Sequence, residues 1–152
     1  MAEPELVTID ETTTAVVRGT ITMDEMANFY DSSFQSIGNA LTGQSLEPIG
    51  PAFGFYYAPP GETVELEVGL PTARPVQPEG RVEPSSLPAG RVARLIHHGA
   101  FNGLGGSWQR LGAWIAEQGL TPAGSMWEVY VIQPRPDMNP NDLRTELNWP
   151  VR

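Results

Sequence analysis

The chain has 152 residues, of which 40% are hydrophobic, and this length and composition indicate one compact domain with a substantial core. It contains no cysteine, which excludes disulfides and thiolate chemistry. Its formal net charge of -9 argues against nucleic-acid binding, because a phosphate-binding surface needs clustered Lys and Arg side chains.

The first half of the chain predicts a strand, a helix and two more strands. Thr12–Thr20 has strand composition, and Thr22 with Glu25 has the spacing of a capping box at a helix start. Apolar side chains then recur at helical spacing before a stop at Gly43, namely Met26, Phe29, Tyr30, Phe34, Ile37 and Leu41. Two strands joined by a turn follow: Pro51–Tyr57, the turn at Pro59-Pro60-Gly61, and Val64–Leu70.

The second half predicts the same order of elements. Arg91–His98 has the pattern of a strand. A helical stripe follows and ends near Gly119, formed by Leu104, Trp108, Leu111 and Ile115. The closing hairpin is predicted at Met126–Ile132 and Leu143–Trp149, and Val82–Leu87 is predicted as one additional strand.

The two halves also resemble each other residue by residue. Leu46–Tyr56 aligns with Leu120–Tyr130, and Glu67–Pro71 aligns with Glu146–Pro150. We therefore expect a single domain over 1–152, with repeat one at about 13–71, a linker at about 73–84 and repeat two at about 91–150. The predicted fold is α+β: tandem pseudo-symmetric strand–helix–strand–strand repeats forming an antiparallel sheet, with two helices on one face and a central ligand cleft.

Alternation along the strands assigns side chains to the two faces of this sheet. We expect two apolar faces to pack under the helices: Val64, Leu66, Val68 and Leu70 in one repeat, and Leu143, Thr145, Leu147 and Trp149 in the other. Phe53 and Phe55 are also expected in the helix-packed core. Glu128 and Glu146 are expected on the opposite face, where the small residue Gly54 leaves room for a ligand.

Glu128 is the leading candidate for a binding residue. Its strand otherwise consists of Met, Trp, Val, Tyr and Ile, so the carboxylate needs solvent, hydrogen bonds or a partner charge. A solvated strand face is the competing interpretation. Glu146 is the second candidate, although Arg144 on the same face offers it an ion pair. Four aromatic residues are expected to line the same pocket: Tyr130, Tyr56, Trp108 and Phe101.

Metal and phosphate chemistry find little support in the motifs. His97 and His98 are adjacent on a strand and point to opposite faces, and no third ligand has suitable spacing, so we expect neither a metal nor a cofactor. The glycine-rich run 99–106 lacks the lysine of a phosphate-binding loop. No signal peptide and no membrane-spanning apolar run is present, so we expect a soluble, cytoplasmic protein.

Several motifs together resemble the GyrI-like (gyrase-inhibitor-like) effector-binding family. They are Arg94–Phe101 before a helix, Trp108 and Trp114 within it, Gly119-Leu120, Trp127–Tyr130 and Arg144–Val151. The resemblance covers essentially the whole chain and implies two strand–helix–strand–strand units around a central cleft. The chain departs from the family pattern at Asn139-Pro140, where Asp-Pro is usual, and at Gly106, where a larger residue is usual.

The resemblance also implies a function. The family's glutamate in its Glu-x-Tyr motif contacts cationic aromatic ligands, and Glu128 matches it, while Glu146 matches a second carboxylate of some stand-alone members. We therefore expect a small-molecule-binding protein that captures cationic or amphipathic aromatic compounds. No helix-turn-helix pattern precedes Glu5, so a stand-alone pocket is expected.

The resemblance leaves two alternatives open. Some family members hydrolyse strained cyclopropane-containing compounds, which here would use Glu128 and Glu146 to divide acid and base roles. Others associate with gyrase or with a transcription regulator, so such a partner is the third hypothesis.

Overall fold

The computed structural model describes residues 3–58, 61–132 and 135–152, and the predicted turn at Pro59-Pro60 lies outside these residues. The described strands are β1 (Glu5–Ile9), β2 (Thr12–Thr22), β3 (Phe53–Tyr56), β4 (Thr63–Pro71), β5 (Val82–Leu87), β6 (Gly90–His98), β7 (Met126–Tyr130) and β8 (Arg144–Pro150). The helices are α1 (Met26–Gly43) and α2 (Leu104–Glu117). Three single 3₁₀ turns accompany them, at Met23–Glu25, Phe101–Gly103 and Pro140–Asp142.

The described strands form one antiparallel sheet in the order β1-β6-β8-β7-β3-β4-β2-β5. Each half contributes a strand–helix–strand–strand unit, β2-α1-β3-β4 and β6-α2-β7-β8. The two units meet at the central pair β3–β7, while β1 and β5 form the edges. The predicted α+β fold is confirmed, and the junction between the halves is one continuous hydrogen-bonded sheet.

Both helices pack on one side of the sheet, which we call the helix face. The α1 residues Phe29, Ile37 and Leu41 share a buried cluster with Leu66 and Val68 of β4. Residues Leu111 and Ile115 of α2 form a second cluster with Leu95 and Leu147. Fully burying an aliphatic side chain of this size stabilises the fold by roughly 1.5–3 kcal/mol. The side chain of Trp108, on α2, packs against both clusters and so links the two cores on the helix face.

The opposite side, which we call the inner face, is also apolar. Val16, Phe53, Leu87, Val92 and Trp127 form its buried cluster. The edge strands β1 and β5 both contribute side chains to this cluster, although they lie at opposite ends of the strand order. The sheet must therefore curl until its edges approach each other, which gives an open half-barrel with two cores instead of one.

Most predicted elements are confirmed within one to three residues at their ends, including the additional strand Val82–Leu87. The predicted linker at about 73–84 therefore already includes the first residues of β5. At the helix start the Glu25 carboxylate accepts a hydrogen bond of 2.8 Å from the Thr22 backbone amide, as the capping-box spacing predicts. The sequence did not predict β1, an edge strand that pairs only with β6. Among the described residues, no helix combines the length and hydrophobicity needed to cross a membrane.

Candidate functional site

Glu128 lies at the centre of the sheet, on the helix face. The register places it directly opposite Gly54 on β3 and Leu147 on β8. Since residues opposite each other in an antiparallel pair share a face, Glu128 points to the same side as the Leu147 core under α2. Only 6% of the residue is exposed. A buried carboxylate is thus placed on the side of the sheet that carries both helices.

Three side chains donate hydrogen bonds to this carboxylate. Tyr130 Oη donates to Oε1 at 2.8 Å, and Tyr56 Oη donates to the same oxygen at 3.0 Å. Trp108 Nε1, from α2, approaches Oε2 at 3.4 Å. A third hydroxyl, Tyr30 Oη from α1, lies 3.1 Å from Tyr56 Oη and 2.8 Å from Tyr130 Oη. Both helices and both central strands therefore converge on one carboxylate.

Burial dominates the electrostatics of this cluster. Desolvation raises the pKa of the Glu128 carboxyl, and the hydrogen bonds from Tyr130, Tyr56 and Trp108 oppose that rise only in part. Burial likewise raises the pKa of Tyr30 to about 12, and it raises those of Tyr56 and Tyr130 well above their usual value. The three phenols therefore keep their protons at neutral pH. Among the described residues, no Arg or Lys forms a salt bridge with Glu128.

The structure brings Gly54, Tyr56, Trp108 and Tyr130 together around Glu128. Gly54 does not leave the open space that the sequence predicted, because a Cβ atom there would collide with the Tyr30 hydroxyl and lie 3.0 Å from Tyr130 Oη. Phe101 lies at the rim, 41% exposed, with its ring centroid 5.9 Å from that of Tyr130. Tyr30 thus completes a closed cluster over the carboxylate.

Glu146 does not join this cluster. Its cross-strand partner is Val129, so it points to the inner face while Glu128 points to the helix face. There Asn148 Nδ2 donates to Glu146 Oε1 at 3.1 Å, and Arg94 forms the salt bridge at 3.4 Å. Arg144, the partner that the sequence offered, instead donates to the carbonyl oxygens of Asn141 and Leu143. The prediction that both glutamates share one face is wrong.

The same correction applies to Phe53 and Phe55. They pack on the inner face with Trp127, whose ring stacks on Phe55 at a centroid distance of 5.8 Å, and not under the helices. Alternation correctly grouped the side chains of each strand, but it cannot say which group faces the helices when both groups are apolar. Curling buries both faces at the centre of the sheet. The strands there therefore lack the polar, solvent-exposed face that usually shows which side points away from the core.

Sequence reasoning missed two residues near the site. Tyr30 was assigned only to the apolar stripe of its helix, and His97 was considered only as a metal ligand. His97 is 7% exposed, with Nε2 donating to the Ala100 carbonyl at 2.8 Å and Nδ1 lying 2.6 Å from Ser107 Oγ. Both ring nitrogens are therefore engaged in holding the start of α2 against β6. Gly54 could have pointed to Tyr30, because a glycine within a strand leaves room for the close approach of a neighbouring side chain.

An open groove of about 820 Å³ lies elsewhere, at the end of α1. It is lined in part by Leu41, Leu46, Ile49, Leu70 and Arg74. None of its lining residues belongs to the Glu128 cluster, and the Arg74 guanidinium within it donates to the Gln44 carbonyl at 3.0 Å. The buried carboxylate, and not this groove, combines convergent polar and aromatic side chains with an ionisable group of raised pKa, so we take the Glu128 cluster as the candidate site.

Comparison with protein families identifies the family of the chain. The sequence profile described as the GyrI-like small molecule binding domain matches residues 2–152. The chain belongs to the GyrI-like family. As a GyrI-like domain it is a small-molecule-binding domain, and the predicted membership is confirmed. Among curated protein sequences, none matches the chain significantly.

Solved structures share the GyrI-like fold at low sequence identity. The EcmrR C-terminal domain is 18% identical with a TM-score of 0.86, and the match covers 100% of this chain and 98% of that one. EcmrR in its DNA complex is 19% identical with a TM-score of 0.85, over 99% of this chain but 57% of that one. A Listeria innocua hydrolase is 15% identical with a TM-score of 0.68, over 99% of this chain and 92% of that one. SAV2435 bound to tetraphenylphosphonium is 14% identical with a TM-score of 0.69, over 99% of this chain and 94% of that one.

The buried carboxyl predicts a pH dependence of stability. Because its pKa is raised in the folded state, the folded chain holds a proton that the unfolded chain releases above about pH 4.5. Wild type should therefore lose stability relative to Glu128→Gln as pH rises from that value through the folded pKa, by about 1.4 kcal/mol per unit of upward shift. Paired chemical unfolding of the two proteins at several pH values measures this difference. A difference that is constant with pH would contradict the assignment.

Proposed function

We propose that this GyrI-like domain binds aromatic organic cations over Glu128, between α1 and α2. The main support for this proposal is the buried Glu128 carboxylate, which accepts hydrogen bonds but forms no salt bridge to Arg or Lys among the described residues. A buried carboxylate without a counter-ion favours a cation that can supply the missing charge. A neutral ligand gains nothing from it.

The surroundings of Glu128 suit an aromatic cation better than a hydrated one. Tyr30 and Tyr130 are only partly buried, and the rings of Trp108 and Phe101 lie beside the same cluster. Aromatic faces attract organic cations through the ring quadrupole, by about 0.5–2 kcal/mol for each well-placed ring. The structural neighbour SAV2435, bound to tetraphenylphosphonium, supports this class of ligand.

Ligand binding requires the cluster to open. The carboxylate oxygen that accepts the hydrogen bonds is covered by Tyr56, Tyr130 and Tyr30. A cation can reach it only when one of these hydroxyls moves aside. We propose that Tyr30 on α1 moves, because it contacts the other two tyrosines without touching the carboxylate itself.

Hydrolysis by paired glutamates is not supported by this geometry. The mechanism needs two carboxylates in one cleft, and the register separates Glu128 and Glu146 onto opposite faces of the sheet. The Listeria innocua neighbour named as a hydrolase shares the fold, which by itself assigns no reaction. Association with gyrase or a regulator, as the EcmrR–DNA neighbour would suggest, concerns surfaces other than this pocket. Ligand binding is therefore the function that we propose.

The test compares a cation with a neutral molecule of similar shape. Tetraphenylphosphonium should bind with micromolar affinity, about −8 kcal/mol, and should quench the fluorescence of Trp108 beside the site. Triphenylphosphine oxide, which keeps three aromatic rings without the charge, should bind at least about tenfold more weakly. Calorimetric titration of both compounds measures the ratio. Equal affinities, or binding of neither, would overturn the proposal.

A further inference from the structure

Four oxygen atoms in the site form a closed ring of contacts. Glu128 Oε1 lies 3.0 Å from Tyr56 Oη and 2.8 Å from Tyr130 Oη. Those two hydroxyls lie 3.1 Å and 2.8 Å from Tyr30 Oη on the far side of the ring. Three of the separations lie in the usual range for O–H···O hydrogen bonds and the fourth, between Tyr30 and Tyr56, is slightly longer, so each contact is best satisfied by one hydrogen atom between its oxygens.

The number of hydrogens in this ring depends on the ionisation of Glu128. Each phenol carries one hydrogen, so the three tyrosines can fill three of the four contacts. If the carboxylate is ionised, the fourth contact brings two oxygen lone pairs together without a hydrogen in a buried site, which is unfavourable. A protonated carboxyl supplies the fourth hydrogen: Oε1–H donates to one of the two phenols, Tyr56 or Tyr130, which then donates to Tyr30 instead of to the carboxylate, while the other phenol still donates to Oε1.

The groups around the ring do not change the number of hydrogen atoms that its four contacts need. Trp108 Nε1, from α2, is directed at the other carboxylate oxygen, outside the ring. Opposite Glu128, β3 presents Gly54 and β8 presents Leu147, neither of which carries an ionisable side chain. Among the described residues, His97 on β6 also acts on Glu128, and both of its ring nitrogens are hydrogen-bonded elsewhere. Burial, which raises the pKa of Glu128, acts in the same direction as the ring.

We propose that the ligand-free site holds Glu128 as the neutral acid and that an organic monocation enters in exchange for this proton. The inference rests on the proposed function. The Oε1–H bond breaks, its electron pair stays on the carboxylate, the proton passes to the solvent, and the cation takes its place. The buried site is thus electrically neutral both before and after binding. Below the folded pKa of Glu128, the affinity for the cation should rise about tenfold per pH unit.

Calorimetry can count the proton directly. Tetraphenylphosphonium is titrated into the whole chain at one pH in buffers of different ionisation enthalpy, and the slope of the apparent enthalpy gives the protons released. We expect the number of protons released per cation to be largest at about pH 5 and to decline at higher pH as Glu128 ionises in the free protein. Binding without proton release across about pH 5 to pH 8 would overturn the inference and leave the proposed function intact. Absence of binding would instead overturn both.

Two variants separate the ring from other sources of protons. Tyr30→Phe removes two of the four contacts, and the remaining hydroxyls of Tyr56 and Tyr130 then satisfy an ionised carboxylate. This variant should release less than half as much proton at about pH 5 and should bind the cation several-fold more tightly there. His97→Gln should release as much as wild type. Loss of release in His97→Gln, or an unchanged release in Tyr30→Phe, would overturn the assignment to Glu128.

Discussion

Replacing Glu128 by Gln is expected to weaken tetraphenylphosphonium binding roughly hundredfold at about pH 8, or by about 2.7 kcal/mol. Glutamine keeps the shape of the side chain and can still accept from Tyr56 and Tyr130, so the hydroxyls retain a partner. The negative charge is lost, and the amide nitrogen at the position of Oε2 no longer accepts the long contact from Trp108 Nε1. Binding of triphenylphosphine oxide should change little, because a neutral molecule makes no use of that charge. Calorimetric titration of both ligands into both proteins measures the four affinities.

Glu146→Gln is the matched control for this experiment. It makes the same chemical change on a neighbouring strand, but on the inner face, where the carboxylate contacts Asn148 and Arg94. Its affinity for the cation should stay within about twofold of wild type. If the two variants lose affinity equally, net charge and not the local carboxylate explains the effect. If Glu128→Gln weakens the cation and the neutral compound alike, the variant has disturbed the pocket instead.

The sequence predicted the architecture well because its two signals were strong. Helical spacing from Met26 to Leu41 and the repeat of Leu46–Tyr56 at Leu120–Tyr130 were enough to order the elements of both units. The edge strand Glu5–Ile9 was missed because its contribution depends on long-range pairing with β6 and on curling of the whole sheet. Val7 lies opposite Val92 of β6, and both Val7 and Ile9 pack on the inner-face cluster to which β5 contributes Leu87. Such long-range closure leaves little trace in a local pattern.

The residues around the site were predicted better than its geometry. The opposed positions of Gly54 and Glu128 follow from the alignment of the repeats, and the register confirms them. The face of the sheet that packs under the helices was assigned wrongly, because Trp127 and Phe53 look like residues of the helix-packed core. They are core residues, but they belong to the cluster on the inner face. Only the register between β7 and β8 shows that Glu146 and Glu128 lie on opposite faces. That register depends on the loop between the two strands, and the length of this loop in the sequence does not reveal which residues pair.

Gly54→Ala is expected to destabilise the chain by about 2 kcal/mol, because overpacking a well-packed site typically costs 1–3 kcal/mol. The added methyl group would occupy the space of the Tyr30 hydroxyl and crowd that of Tyr130. Tyr30 would have to move and give up both of its contacts in the ring. Thermal unfolding should show a midpoint lower by about 4–8 °C for a chain of this length.

Gly38→Ala is the control, since a methyl group at this position of α1 meets no atom within 4 Å. It should be neutral or stabilise the helix by up to about 1 kcal/mol.

The double variant Gly54→Ala, Tyr30→Phe tests whether the Tyr30 hydroxyl is the atom responsible. Removing that oxygen leaves Tyr130 Oη at 3.0 Å and the Tyr30 ring carbon at 3.3 Å from the new methyl group, contacts that small shifts can relieve. The two substitutions should therefore be less harmful together than the sum of their separate effects, with a coupling of about 1–2 kcal/mol. Denaturant unfolding of wild type, both single variants and the double variant gives this coupling. Additive effects would mean that the clash lies elsewhere, and that Tyr30 does not close the site over Glu128.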